Sequence, residues 1–214
     1  MSNQGAIPSK DQQPGLIKRF WRFLRHPAAT ISAGALLLIG VVVGVAFWGS
    51  FNWSMEMTNT EEFCIGCHEM EANVYAEYTE TAHYANASGV RATCPDCHVP
   101  KEWVHKVVRK VQASRELYHK ALGSIDSPEK FEEKRLALAT NVWTAMKKTD
   151  SRECRNCHEF NSMDFVLQEG RASAAHSDAF KEGKTCIDCH QGIAHSLPAN
   201  ALEAYKENVS AVYD

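Results

Sequence analysis

The sequence predicts a mainly α-helical chain: one N-terminal transmembrane helix followed by a small helical and loop domain made of two duplicated units. Three observations carry that expectation. Ala28 to Trp48 contains no charged residue, and a Cys-x-x-Cys-His pentapeptide occurs four times in two pairs. Elsewhere the apolar residues recur at spacings of three and four, with no alternating β pattern and no Asn-Gly or Asp-Gly hairpin turn.

The pentapeptides are Cys64-Ile65-Gly66-Cys67-His68, Cys94-Pro95-Asp96-Cys97-His98, Cys154-Arg155-Asn156-Cys157-His158 and Cys186-Ile187-Asp188-Cys189-His190, and they consume all eight cysteines. None is left for a disulfide or a nucleophile. This is the pattern of covalent c-type haem attachment, in which two thiols form thioethers and the adjacent imidazole reaches the iron. The rival is a zinc ribbon, where two Cys-x-x-Cys pairs share one tetrahedral ion. A Cys₄ site has no use for a histidine directly after each pair, yet one follows every time. Four covalently bound haem c groups are therefore expected.

Composition narrows the partners. Residues 1 to 30 hold five Lys/Arg (Lys10, Lys18, Arg19, Arg22, Arg25) against Asp11, so the remainder carries 18 Lys/Arg against 25 Asp/Glu. An acidic body of that kind excludes nucleic acid as the expected partner.

Residues 1 to 17 read as a polar, proline-punctuated tail, followed by a basic amphipathic patch from Lys18 to His26. The 21 residues Ala28 to Trp48 would rise about 32 Å as a helix, enough to cross a bilayer core. Expected boundaries are 1–27 for a cytoplasmic tail, 28–49 for the anchor and 50–214 for a periplasmic domain, since the cationic flank stays inside. A cleaved signal peptide competes, but Val45-Ala46-Phe47-Trp48-Gly49 offers no small-x-small cleavage site. A single-pass protein of the bacterial inner membrane is expected, with the lipid bilayer as one partner and a homo-oligomer compatible with the pattern.

Within 50–214 the halves correspond. Ala82-His83 precedes Thr93-Cys94-Pro95-Asp96-Cys97-His98, and Ala175-His176 precedes Thr185-Cys186-Ile187-Asp188-Cys189-His190. Two copies of a two-haem unit are expected to pack together. Between them, Trp103, Val104, Val107, Val108, Val111, Leu117 and Tyr118 predict a helix over 101–122 that stops at Gly123. Ser127-Pro128-Glu129 predicts an N-cap and first turn for a second helix, reaching about Lys148. Pro198 to Val212 predicts a terminal helix. Porphyrin must supply much of the buried apolar material, so the domain is expected not to fold without it.

Beyond His68, His98, His158 and His190, six histidines remain. His26 precedes the span. His105 and His119 share a helix face and carry no further support as ligands. His83 and His176 occupy equivalent places in the halves, and His195 follows the last motif closely, so these three are the candidate distal ligands. Imidazole on both sides of an iron favours electron transfer over chemistry at the metal. The first motif is the odd one, because Met70 stands two residues past His68. Met70 is either a packing residue or a thioether ligand that raises the reduction potential.

Four runs resemble the NapC/NirT family of membrane-anchored tetrahaem quinol dehydrogenases: 61–70, 89–98, 153–158 and 185–195. The likeness extends over about 15–198 and is specific in motif order and spacing. It implies that electrons pass from membrane quinol, menaquinol or ubiquinol, through four haems to a soluble periplasmic reductase. It also implies that Met70 binds the first haem and His68 does not. The same resemblance puts the quinol beside the first haem, with Lys110 positioning its oxygen and Glu116 accepting its proton. The residues alone would make Lys110 and Glu116 ordinary helix charges.

The chain shows no extra C-terminal haem domain, which makes a nitrate reductase complex the expected partner. The alternatives are a nitrite or N-/S-oxide reductase as partner, a terminal multihaem oxyanion reductase, or a structural anchor.

Overall fold

The computed structural model describes residues 15–25 and 30–210. His26 and most of the expected tail lie outside them. The described residues are helical with no strand, in two compact units, Met1–Asn52 and Trp53–Asp214.

In the first unit α1 spans Leu16–Arg25, so Leu16 and Ile17 are helical and not part of a featureless tail. Helix α2 spans Ala33–Met57, and none of its most apolar stretch is buried by protein. It starts where the Ser32 hydroxyl accepts the Ala35 N–H at 3.2 Å. It runs eight residues past the expected end at Gly49, because nothing after that glycine breaks a helix. Asn52 donates to the Trp48 carbonyl at 2.8 Å, and the chain turns only before Thr60, which caps α3 (Glu61–Ile65). Helix α2 is thus long and apolar enough to cross a membrane.

The second unit strings short helices around its motifs. A π-helix, Met70–Tyr75, follows the first motif and leads into α4, Ala76–Tyr78. The second motif forms α5, Cys94–His98. Helix α6, Trp103–Ala121, and α7, Pro128–Lys148, bridge the halves; Gly123 at φ +62° reverses the chain between them, and the Ser127 hydroxyl accepts the Lys130 N–H at 3.4 Å. The third motif opens in α8, Arg152–Arg155, and α9, Gly170–Lys181, carries His176. After a 3₁₀ turn at Cys186–Asp188 comes α10, Ala201–Asn208, the last helix among the described residues and shorter than the expected Pro198 to Val212, of which Val212 lies outside them.

One apolar cluster joins α7, the fourth motif and α10: Trp143, Ile187, Ala201, Tyr205 and Val209, with Ala139 and Met146 against it. Asp188 fastens its edge, accepting from Lys147 at 2.8 Å and from the Tyr205 hydroxyl at 2.6 Å. Ser151 adds a second tie: fully buried and left-handed at φ +49°, it accepts the Ile187 N–H at 3.1 Å and so joins the third motif to the fourth.

Candidate haem-binding and quinol site

The cysteines are all unpaired, and the motifs meet in chain order. The Cys94 side chain beside it brings the Cys64 thiol down to about 7. The Cys154 side chain likewise brings the Cys186 thiol down to about 6. Cys97 and Cys157 bridge the two groups through their mutual electrostatic influence, where α5 packs on α8. As thioethers these sulfurs would no longer titrate. Among the described residues no three His, Cys, Asp or Glu side chains converge as a metal centre, which a shared zinc ion would need.

The second and fourth motifs share one local device. Thr93 donates its N–H and hydroxyl to Asp96 Oδ2 at 2.8 and 2.7 Å, and Thr185 does the same to Asp188 Oδ2 at 2.7 and 3.0 Å. Each is a capping box that presets the Cys-x-x-Cys turn. Thr-x-x-Asp is a helix N-terminal signature, and here it shapes the motif itself.

The histidines come together in three pairs. Ring centroids lie 6.1 Å apart for His83 and His158, 6.3 Å for His98 and His195, and 6.0 Å for His176 and His190. An iron held between two imidazole nitrogens, at about 2 Å each with ring centres about 1 Å further out, needs a separation of about 6 Å. The six rings therefore fit three bis-imidazole irons. Equivalent places in the halves do not pair alike: His176 faces its own half's motif, whereas His83 faces the third motif and His195 the second.

Supporting groups set the rings. Val74 O accepts from His195 Nδ1 at 3.1 Å and Gln168 Oε1 from His176 Nδ1 at 2.7 Å, which leaves Nε2 of each for a metal. The Tyr78 hydroxyl reaches the Ala92 carbonyl and, at 3.3 Å, that of His83. Burial depresses the pKa of His83, His98, His190 and His195. It is strongest at His98, down to about 4 with His195 and Arg109 adding to it. Neutral imidazole is the form a metal takes.

The first motif differs. His68 is 64% exposed and leans on Glu69 at 3.2 Å, and no imidazole faces it. Buried Glu69 is held by Lys120 at 2.6 Å, and that bond keeps its carboxyl below the usual range. Met70 opens the π-helix, a local widening common at functional sites. His105 and His119 bond instead to Glu102 at 2.7 Å and Ser124 at 3.2 Å.

Lys110 and Glu116 both act electrostatically on Cys64, but they are held differently. The Lys110 ammonium donates to the Thr58 carbonyl and, at 3.1 Å, to its hydroxyl, and burial lowers its pKa. Glu116 is 66% exposed and pairs with Arg109 at 2.8 Å.

No sequence signal marks the clamp behind His195. Arg135, 10% exposed, bonds Glu77 in bidentate fashion at 2.7 and 3.0 Å and also Glu132 at 2.6 Å, while Glu77 accepts the Ser196 N–H at 3.0 Å. Arg135→Met strands Glu77 and is expected to cost on the order of 3 kcal/mol, read as a lowered melting temperature. Burial alone would raise the Glu77 pKa; the bonds from Arg135 and Ser196 outweigh it and hold the group below its usual range. A folded carboxyl that releases its proton more readily than the unfolded one stabilises fully above about pH 4.3 and loses that stabilisation as pH falls through its folded pKa. The melting temperature of Glu77→Gln is therefore expected to fall less than that of the wild type between pH 5 and pH 3; parallel decline refutes the clamp's share.

Comparison with known proteins places this geometry. A family model described as "NapC/NirT cytochrome c family, N-terminal region" matches residues 26–200. The chain is 57% identical over 190 residues to the cytochrome c-type protein NapC of Escherichia coli (strain K12), covering 89% of this chain and 94% of that protein. It is 54% identical over 195 residues to the denitrification system component NirT of Stutzerimonas stutzeri, covering 91% and 95%. With the cytochrome c-type protein TorC of Escherichia coli (strain K12) identity is 44% over 183 residues, covering 85% of this chain and 47% of that protein. No solved structure matches. Four haem-attachment motifs, three facing imidazole pairs and a family match over most of the sequence lead to one assignment: the chain belongs to the NapC/NirT family of c-type cytochromes.

Proposed function

We propose that this chain is a tetrahaem cytochrome anchored by α2 in the bacterial inner membrane, with its second unit in the periplasm. It takes electrons from membrane quinol and passes them to a periplasmic reductase. The observation that carries this reading is the contrast between three facing imidazole pairs and a first motif that has none. His83 and His158, His98 and His195, and His176 and His190 would close three irons on both sides, leaving them fit for electron transfer alone. At the first motif Met70 would be the ligand in place of His68.

When bound, the haems supply one-electron carriers. The chain's own residues handle the quinol and its protons. Lys110, fixed on Thr58 close to Cys64, positions the quinol oxygen. Glu116 takes the proton, since an exposed pair with Arg109 is weak enough to open. Nitrate reductase is the favoured partner, with a nitrite reductase as the alternative: identity is 57% with the NapC relative and 54% with the denitrification component NirT, against 44% with TorC.

The test uses the holoprotein in proteoliposomes. Menaquinol or ubiquinol should reduce it, and of the purified periplasmic reductases the nitrate enzyme should reoxidise it fastest. Failure of both quinols, or rapid turnover of nitrite or hydroxylamine by the isolated protein, would overturn the reading.

A further inference from the structure

Helix α6 is inside out for a domain surrounded by water. Val104, Val108, Val111, Tyr118 and Leu122 follow one another at helical spacing, with Arg115 completing the stripe. They are 63%, 50%, 67%, 63% and 60% exposed. Lys106 and Lys110 turn the other way: Lys106, 14% exposed, bonds Glu56 at 2.7 Å, and part-buried Lys110 bonds Thr58. A helix on a soluble domain normally buries its apolar face and exposes its charges. The reversal means that something other than water covers the stripe.

We propose that α6 is an interfacial helix whose outward stripe lies against the bilayer surface, with anionic phospholipid as its partner. Two observations select lipid. Glu56 and Thr58, which hold the charged face of α6, lie at the end of the one described helix long enough to cross a membrane, about two turns beyond Trp48, so α6 is tied close to the place where that helix leaves the apolar layer. Lys106, Arg109 and Lys120 are paired with Glu56, Glu116 and Glu69, and Lys110 is held on Thr58, so the charge that α6 offers anionic headgroups is Arg115, set within the outward stripe itself. A second copy docked stripe to stripe would bury the Arg115 of both copies in an apolar seam. Arg115 fits the same setting by extending its stem over the apolar residues and its guanidinium to phosphate.

The proposal rests on α2 as an anchor and not on the quinol assignment. Because haem attachment uses all eight cysteines, Val111→Cys in the holoprotein provides a single reactive thiol, and Glu133→Cys on α7 provides an exposed control. Both are placed in phosphatidylethanolamine and phosphatidylglycerol vesicles, and co-flotation is checked by haem absorbance. With a water-soluble maleimide Val111→Cys should react about tenfold more slowly than Glu133→Cys, and with a lipophilic maleimide the order should reverse. Equal rates in floated protein overturn the proposal alone. So does a thiol blocked to both reagents, which would mean a second copy or a protein partner on the stripe. Loss of flotation overturns the anchor reading and this proposal with it.

Discussion

Lys110→Gln is expected to abolish reduction of the protein by quinol while leaving its haem content unchanged. The side chain hangs from residues that carry no motif, so losing it should not disturb attachment, and glutamine can still donate to Thr58. What disappears is a positive charge in a part-buried place beside Cys64. A group that positions and polarises a reacting oxygen contributes about 100-fold or more, so the rate with quinol should fall at least that far while dithionite still reduces the variant completely. Quinol-driven reduction at the wild-type rate would remove Lys110 from the site. Glu116→Gln serves as the companion: if the carboxylate takes the proton, it should slow the reaction most at neutral and higher pH, where the wild-type group is ionised, and least at low pH; if the residue only shapes the surface, it should slow it uniformly.

Withholding haem should leave residues 53–214 without a cooperative melting transition. Among the described residues of that unit the apolar side chains buried by protein are Met55, Tyr78, Phe131, Trp143, Ile187, Ala201, Ala204, Tyr205 and Val209, and only Val209 is fully enclosed. Phe63, Val90, Val166 and Leu167 are 49%, 65%, 90% and 85% exposed. Burial on that scale falls far short of the conformational entropy of so many ordered residues, at about 1–2 kcal/mol each for the backbone alone. Apo-protein made without the attachment machinery should give a sloping circular-dichroism melt and rapid proteolysis, against a sharp transition for the holoprotein. A sharp apo transition would show that side chains suffice.

Much of the fold could be read from residue order because its determinants are local. Helix α7 begins at Pro128 and ends at Lys148, as Ser127-Pro128 and the spacing of Phe131, Trp143 and Met146 require, and α6 stops ahead of Gly123. The end of α2 was misjudged because loss of hydrophobicity is not a helix stop; backbone bonding continues through Asn52 and Glu56 until Thr60 offers a cap. Which histidine faces which could not be read at all. His195 meets His98 across nearly a hundred residues, and no spacing rule reaches that far. The supporting shell was equally hidden, because Glu77 and Arg135 look like ordinary helix charges until α7 brings them together.

Two of the three facing ring pairs, His83 with His158 and His98 with His195, join opposite halves of the repeat. If a shorter ancestor was doubled to make this chain, its copies have since traded partners and can no longer live apart. Cutting at Gly123 should yield fragments that each lack an axial group, and mixing the fragments should restore what neither holds alone.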